Sequence, residues 1–328
     1  VKTLEVRELD LKVEIKKRAA LVDRAIQKYL PISHPEELYK ASRHLLDAGG
    51  KRVRPVMLML AAEAVLGNSE NVIPAAVAVE LVHNFTLIHD DIMDEDELRR
   101  GIPAVHVKWD TSSAILAGDT LCCKAFQILA KSKAEPERIV ASIDILSRAL
   151  IEICEGQWLD LDFEKREIVS IKEYLEMVRK KTGMLFAAST SIGGLLAGGN
   201  KIQVDALYEI GLVTGIGFQI RDDVLDLIAP QEILGKPRGS DLIEKKKTLV
   251  AIHAQSKGID LDQLAKLASQ GEIEKAVEVL EKAGSIAYAM RKAKLMVEKG
   301  KQKLEVLPQS DAKKILAQLA NYMITREY

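Results

Sequence analysis

The chain has 328 residues, of which 48% are hydrophobic and 29% charged, and a formal net charge of −1; a large core is possible and no overall field would attract nucleic acid. Aromatic residues make up only 4%, which disfavours a β-sandwich or barrel, whereas the dominant Ala, Leu, Glu, Lys and Ile favour helix. Three cysteines (Cys122, Cys123, Cys154) supply neither a disulfide framework nor metal-ligand spacing and read as reduced residues of a cytosolic protein.

The N-terminal segment mixes acids (Glu5, Glu8, Asp10) with its bases and has no signal-peptide core, so a soluble, cytoplasmic chain is expected. Leu21, Val22, Ala25, Ile26, Tyr29 and Leu30 recur at helical spacing. A second helix is predicted from Pro35 to Leu46, stopped by Gly49-Gly50, residues that tolerate the positive φ of a C-cap. Pro55 sits in the first turn of an apolar helix reaching about Gly67, and Pro74 opens another that runs through Phe85 and Ile88 into an acidic end.

Gly101-Ile102-Pro103 marks a loop. Helical patterns return over 113–131 and 136–163, and Ser170 with Glu173 forms a capping box. The longest charge-free stretch, Thr182 to Asn200, has nearly membrane-span length. Ser189-Thr190-Ser191 and five glycines dilute it, so a buried helix with its loop is predicted and no membrane span. Val204 to Leu227 repeats helically before a loop holding Gly235, Pro237 and Gly239; short helices broken by Gly271, Gly284 and Gly300 finish the chain. No polar linker, internal repeat or compositional break appears, so residues 1–328 are expected to form a single all-α domain.

Two segments stand out. Asp90-Asp91-Ile92-Met93-Asp94 and Asp222-Asp223-Val224-Leu225-Asp226 share Asp at positions one, two and five, each after an apolar helical run. Residues i and i+4 share a helix face, so Asp90 can converge with Asp94 and Asp222 with Asp226. Unrelieved, each like-charge pair costs roughly a few tenths of a kcal/mol, at the helix end where the dipole already opposes negative charge. Hard oxygen ligands that leave room for water and phosphate suit Mg²⁺.

Cations match these acids. Gly49-Gly50-Lys51-Arg52-Val53-Arg54-Pro55 is a glycine turn carrying three bases into a helix start. Arg99-Arg100 follows the first acidic run, Lys181-Thr182-Gly183 interrupts a helical pattern, and Lys236 and Lys245-Lys246-Lys247 follow the second acidic run. No Ser/His/Asp or Cys/His nucleophilic arrangement accompanies them. Two phosphorylated substrates are therefore expected, one gripped through metal and one by bases alone.

The ordered segments GGKRVRP, HDDIMDEDELRRG, AGDTL, KTG, GFQIRDDVLDL and GKPRGSDL resemble the trans-isoprenyl diphosphate synthases, the polyprenyl synthetase family, from about Leu45 to Leu249. The resemblance implies a helical bundle around a deep central cavity, usually a homodimer. It further implies head-to-tail joining of isopentenyl diphosphate to an allylic diphosphate (dimethylallyl, geranyl or farnesyl) with release of pyrophosphate. It assigns Asp90 and Asp94 to two Mg²⁺ ions and Asp222 to a third, with Asp91 and Asp226 supporting them. Arg99, Lys181, Lys236 and Lys246 would bind the allylic diphosphate, and Lys51, Arg54, His83 and Arg100 the isopentenyl diphosphate. Thr182, Gln219 and the Lys181 carbonyl would face the developing allylic cation. The family often has Gly where this chain has Lys245.

Phe85 lies five residues before Asp90, about 7.5 Å along a helix. An aromatic there, with none at Thr86, resembles the archaeal short-chain synthases that make geranylgeranyl diphosphate, and makes Phe85 the expected floor of the tail cavity. Farnesyl or longer products are the alternative. His83, His89 and His106 raise a His-Asp phosphohydrolase as a rival, but His83 and His89 fall on different helix sides and leave the second acidic run unexplained. A terpene cyclase should lack the Gly-Gly-Lys segment, and a non-catalytic partner subunit should lack part of the ligand set.

Overall fold

The computed structural model describes residues 10–230 and 238–326. Helices α1 (Leu11–Tyr29), α2 (Glu36–Asp47), α3 (Val53–Leu66) and α4 (Ile73–Met93) lead into a hairpin of β1 (Leu98–Arg99) and β2 (Ile102–Pro103). Next come α5 (Val105–Lys108), α6 (Thr111–Leu129), α7 (Pro136–Glu164) and α8 (Ile171–Val178), then a π-helical turn (Arg179–Gly183), α9 (Met184–Leu196) and α10 (Lys201–Ile228). The order ends with α11 (Ser240–Ile243), α12 (Leu249–Ser256), α13 (Leu261–Ser269), α14 (Ile273–Lys282), α15 (Ser285–Lys303) and α16 (Asp311–Thr325). The fold is all-α, as expected.

Local chemistry sets the helix starts. Asp10, Asp110, Thr248, Asp260 and Ser310 each accept a backbone N–H in the first turn of the helix they cap. The capping box at Ser170 and Glu173 is formed in both directions, at 3.2 and 2.8 Å, and Asn200 with Gln203 repeats it at the head of α10.

The apolar residues collect in two clusters, one built on α8, α10 and α12 to α16, the other on α1, α2, α4, α6 and α7. Helices α3 and α9 contribute to both, so each carries apolar residues on more than one face, as a helix packed between two clusters must. Ser189, Thr190 and Ser191 of the charge-free stretch are buried, and their hydroxyls donate to main-chain carbonyls of Leu185, Phe186, Ala187 and Leu207, which removes the cost of burying them. Among the described residues one stretch, Glu70–Met93, is long and apolar enough to cross a membrane, and most of it is buried within the protein.

Two features differ from the sequence reading. The Gly101 loop is a paired hairpin, with Leu98 opposite Pro103 and Arg99 opposite Ile102. Its two central residues, Arg100 and Gly101, have φ of 56° and 75°, the doubly left-handed turn that matches strand twist. Lys181-Thr182-Gly183 does not interrupt a helix: the chain widens into one π turn, in which Met184 N–H bonds to Arg179 O, and continues as α9.

Candidate active site

A cavity of about 650 Å³ opens where the C-terminal end of α4 meets α7, α8, the π turn and α10. Asp90, Asp94 and Asp223 are among its acidic lining residues and Arg99, Lys181 and Lys246 among its basic ones, with Thr182 and Gln219 among the remaining wall residues. Asp94 is the cap of α4, its N–H bonded to Asp90 O at 2.8 Å, so it stays one turn above Asp90 although regular helix ends at Met93.

Several cavity charges are already opposed. Arg99 Nε donates to Asp91 Oδ1 at 2.7 Å and Nη2 to Asp96 at 2.9 Å. Lys181 Nζ donates to Asp160 Oδ2 at 2.6 Å. Burial pushes the Asp90 carboxyl up to about 6, against the pull of Lys181 and with a push from Asp94. Burial likewise raises Asp94, with Lys181 and Lys246 opposing. Burial, reinforced by Asp241, raises Asp223 to about 7, while Lys246, Tyr174 and Gln219 pull it back. Burial works against the charge on Lys246, yet Asp241, Asp160, Asp223 and Asp94 together hold its ammonium above the ordinary value. The run of three lysines therefore divides: Lys246 faces the cavity, whereas Lys245 pairs with Asp262 at 2.6 Å. Lys245 also has φ of 58°, a conformation glycine adopts freely and lysine does not.

The basic glycine turn builds a second cluster. Arg54 Nη1 lies 3.2 Å from His83 Nε2, and its guanidinium stacks over the Phe186 ring at 4.4 Å. Arg100 donates to the carbonyl of Leu45 at 2.6 Å and to that of Gly49, while Arg52 turns inward to a buried pair with Glu80 at 2.7 Å. Burial lowers Arg54 to about 10, and burial with the surrounding arginines drives His83 well below its ordinary value, so it is neutral. Burial and the neighbouring Arg326 also lower Lys51. These groups repel one another, and the buried Arg54 Nε has no partner. An anion would satisfy both demands.

The acidic motif on α10 splits in a way the spacing alone does not reveal. Asp226 is buried and accepts from Ser240 Oγ at 3.0 Å and Asp241 N at 3.1 Å. Asp222, expected at the metal, is not among the cavity-lining residues. It pairs with Arg326, whose guanidinium stacks on Phe218 at 4.5 Å. Asp223, pointing about 100° away on the helix, is 4% exposed and meets Tyr174 and Gln219, whereas Asp222 lies near enough to Lys51 and Arg54 to act on their charges. Phe85 is half-buried in the second apolar cluster and packs edge-on against His89 at 4.8 Å, rather than lining this cavity. Lys236 lies outside the described residues. Asp160, Tyr174 and Arg326 were not foreseen: a lone acid, an aromatic among apolar residues and a near-terminal arginine carry no local signal.

Among the described residues no three His, Cys, Asp or Glu side chains converge as a ready-made metal cage. The cavity aspartates offer one or two carboxylates at a time, a donor set that fits Mg²⁺ sharing its shell with substrate phosphate. The histidines do not gather either: His83 meets Arg54, while a ring nitrogen of His89 lies 3.2 Å from Ile115 O.

A profile of the polyprenyl synthetase family matches residues 35–285. The chain is 58% identical over 316 residues to a geranylgeranyl diphosphate synthase of Methanosarcina mazei, covering 96% of this chain and 98% of the relative. It is 48% identical over 331 residues to a geranylfarnesyl diphosphate synthase of Natronomonas pharaonis, covering 96% and 97%. Its fold is similar to that of a geranylgeranyl pyrophosphate synthetase from the archaeon Geoglobus acetivorans, with a TM-score of 0.89 and 48% identity over 95% of this chain and 99% of that one.

Proposed function

The chain belongs to the polyprenyl synthetase family of prenyltransferases, and we propose that it joins isopentenyl diphosphate to allylic diphosphates to make geranylgeranyl diphosphate. One observation carries the reading. A cavity lined by interleaved aspartates and cations adjoins a separate cluster of mutually repelling bases, as two differently held diphosphates require.

The allylic diphosphate sits against Arg99, Lys181 and Lys246, with Lys236 completing the set, and Asp90, Asp94 and Asp222 would hold three Mg²⁺ ions. Metal held there would supply charge neutralisation to the leaving pyrophosphate. The lysines and Arg99 add positive charge that needs no reorganisation at the moment of cleavage. Thr182, Gln219 and the Lys181 carbonyl turn oxygen dipoles toward the allylic cation, which must be kept from water. Lys51, Arg54, His83 and Arg100 hold the isopentenyl diphosphate, and the departing pyrophosphate takes the final proton. The same reading makes residues 1–328 one synthase domain, at work in the cytoplasm. It acts as a homodimer, supported by the exposed apolar side chains Ile115 and Leu116 on α6 and Ile151 and Trp158 on α7.

The test is incubation of the purified chain with labelled isopentenyl diphosphate, each of the three primers and Mg²⁺, followed by sizing of the prenyl products. Twenty-carbon chains are expected, that is, about four five-carbon units. Diphosphate hydrolysis, cyclised hydrocarbon or no turnover would sink the reading, and a product one unit longer would move it to the geranylfarnesyl type. This reading keeps Phe85, five residues before Asp90, as the floor of the tail path, so Phe85→Ala should lengthen the products; an unchanged length distribution would remove Phe85 as the floor.

The raised Asp90 carboxyl gives a pH dependence with a definite sign. With its value at about 6, the group binds a proton more tightly in the fold than at its ordinary value, and a divalent ion must displace that proton. The Mg²⁺ concentration for half-maximal activity should therefore climb about tenfold per pH unit below this value and level off above it. A half-saturation point that does not change with pH would show that Asp90 is not in the ion's shell.

A further inference from the structure

Four side chains along the cavity wall are joined by one line of hydrogen bonds. Tyr174 Oη donates to Asp223 Oδ2 at 2.6 Å. Gln219 Nε2 donates to Asp223 Oδ1 at 2.9 Å, and Thr182 Oγ1 donates to Gln219 Oε1 at 3.0 Å. All four residues line the cavity, yet Tyr174 is only 1% exposed and anchors the chain from inside.

The direction of each bond follows from the inner end. The Tyr174 phenol has a single hydrogen, and it is given to Asp223 Oδ2. An ionised carboxylate offers only acceptors. Gln219 must then turn its amide nitrogen to Asp223 and its carbonyl oxygen away. That oxygen accepts from Thr182, whose single hydroxyl hydrogen is thereby committed, and the threonine oxygen keeps its two lone pairs.

We infer that Tyr174 is a positioning residue which, through Asp223 and Gln219, fixes the Thr182 hydroxyl so that lone pairs rather than O–H face the forming allylic cation. The inference rests on the condensation reading above. If the line were reversed, with Gln219 donating to Thr182, the free hydroxyl hydrogen would swing toward the cavity and set its positive end against the cation. A dipole oriented before reaction stabilises charge without having to turn when the charge appears. Tyr174 never touches substrate; its effect on rate passes through Thr182.

The experiment is a double-substitution cycle in the full chain with Mg²⁺. Tyr174→Phe keeps the ring and removes only the donor. It should lower kcat about tenfold, the scale of one hydrogen bond, and leave KM for both diphosphates within about twofold. In a Thr182→Val background there is no hydroxyl to orient, so the same change should alter kcat by less than about twofold. An unchanged kcat in Tyr174→Phe, or the same fold-loss with and without the threonine hydroxyl, overturns the inference. Should Tyr174→Phe not fold, Tyr174→Met, which also removes only the phenolic donor from the line, takes its place in the cycle with the same two expected results. A parent chain that does not condense overturns the condensation reading and this inference with it; an active parent whose two losses multiply overturns the inference alone.

Discussion

Asp90→Ala is expected to lower kcat for condensation by about 10³, the upper range for loss of one preorganised charge-stabilising group. Asp90 lines the cavity one turn below Asp94 and close enough to Lys181 to feel its charge. The carboxylate would share the ion that neutralises the leaving pyrophosphate, an interaction that strengthens as charge builds in the transition state. KM for isopentenyl diphosphate should hardly change, since Lys51, Arg54, His83 and Arg100 belong to the other cluster.

Stability should move the opposite way. In the fold the Asp90 value is raised from 3.8 to about 6, chiefly by burial. Its stabilising, protonated form is therefore present at acid pH and lost as pH rises through that value, leaving a buried charge at neutral pH and above. Alanine removes that charge, so the metal-free variant should melt at or above the parent while losing Mg²⁺-induced stabilisation. A variant that melts lower and still gains stability from Mg²⁺ would make Asp90 a structural residue.

Gly156→Ala is expected to cost about 10² in kcat/KM for the allylic substrate through one added methyl group, the scale of loss for a displacement near 1 Å at reacting groups. Gly156 lies in α7 where that helix crosses the π turn. A Cβ built there would sit 2.7 Å from Lys181 Cα and 2.9 Å from Lys180 C. Both neighbours are main chain, so no side chain can swing aside and the two elements must part. Lys181, its carbonyl and Thr182 would all shift, and so would the pairing of Lys181 with Asp160. Overpacking of this kind also lowers stability by about 1–3 kcal/mol. Gly156→Ser should be at least as damaging. Allylic KM and kcat, read beside a melting curve, check the expectation; full activity in Gly156→Ala would show that the close crossing is not what holds the π turn.

The helical order was legible because its signals are local. Ser170 with Glu173, the prolines near helix starts and the glycines after helix ends act within one turn, and the apolar spacing of α3, α4, α9 and α10 leaves no other regular structure open. The chemistry of the site was legible for another reason: two acidic runs of the same spacing and several basic runs recur in a fixed order, and their like charges ask for counter-ions wherever they fold. The hairpin at Arg100-Gly101 was read only as a loop, since two residues per strand give no alternation to detect.

By itself, the amino-acid order determined that this is an all-helical chain carrying acids and bases suited to diphosphates, because propensity, capping and charge are properties of neighbours in the chain. Only the tertiary structure decided what each member of a run meets: Asp222 pairs with Arg326 and Asp223 with Tyr174 and Gln219, while Lys246 lines the cavity and Lys245 pairs with Asp262. Neighbouring residues on a helix diverge by about 100°, and the rotation of α10 about its own axis is set by the apolar faces of α9 and α15 packed against it, not by the acidic run. Asp160 meeting Lys181, and Tyr174 meeting Asp223, depend on that same packing across separate helices.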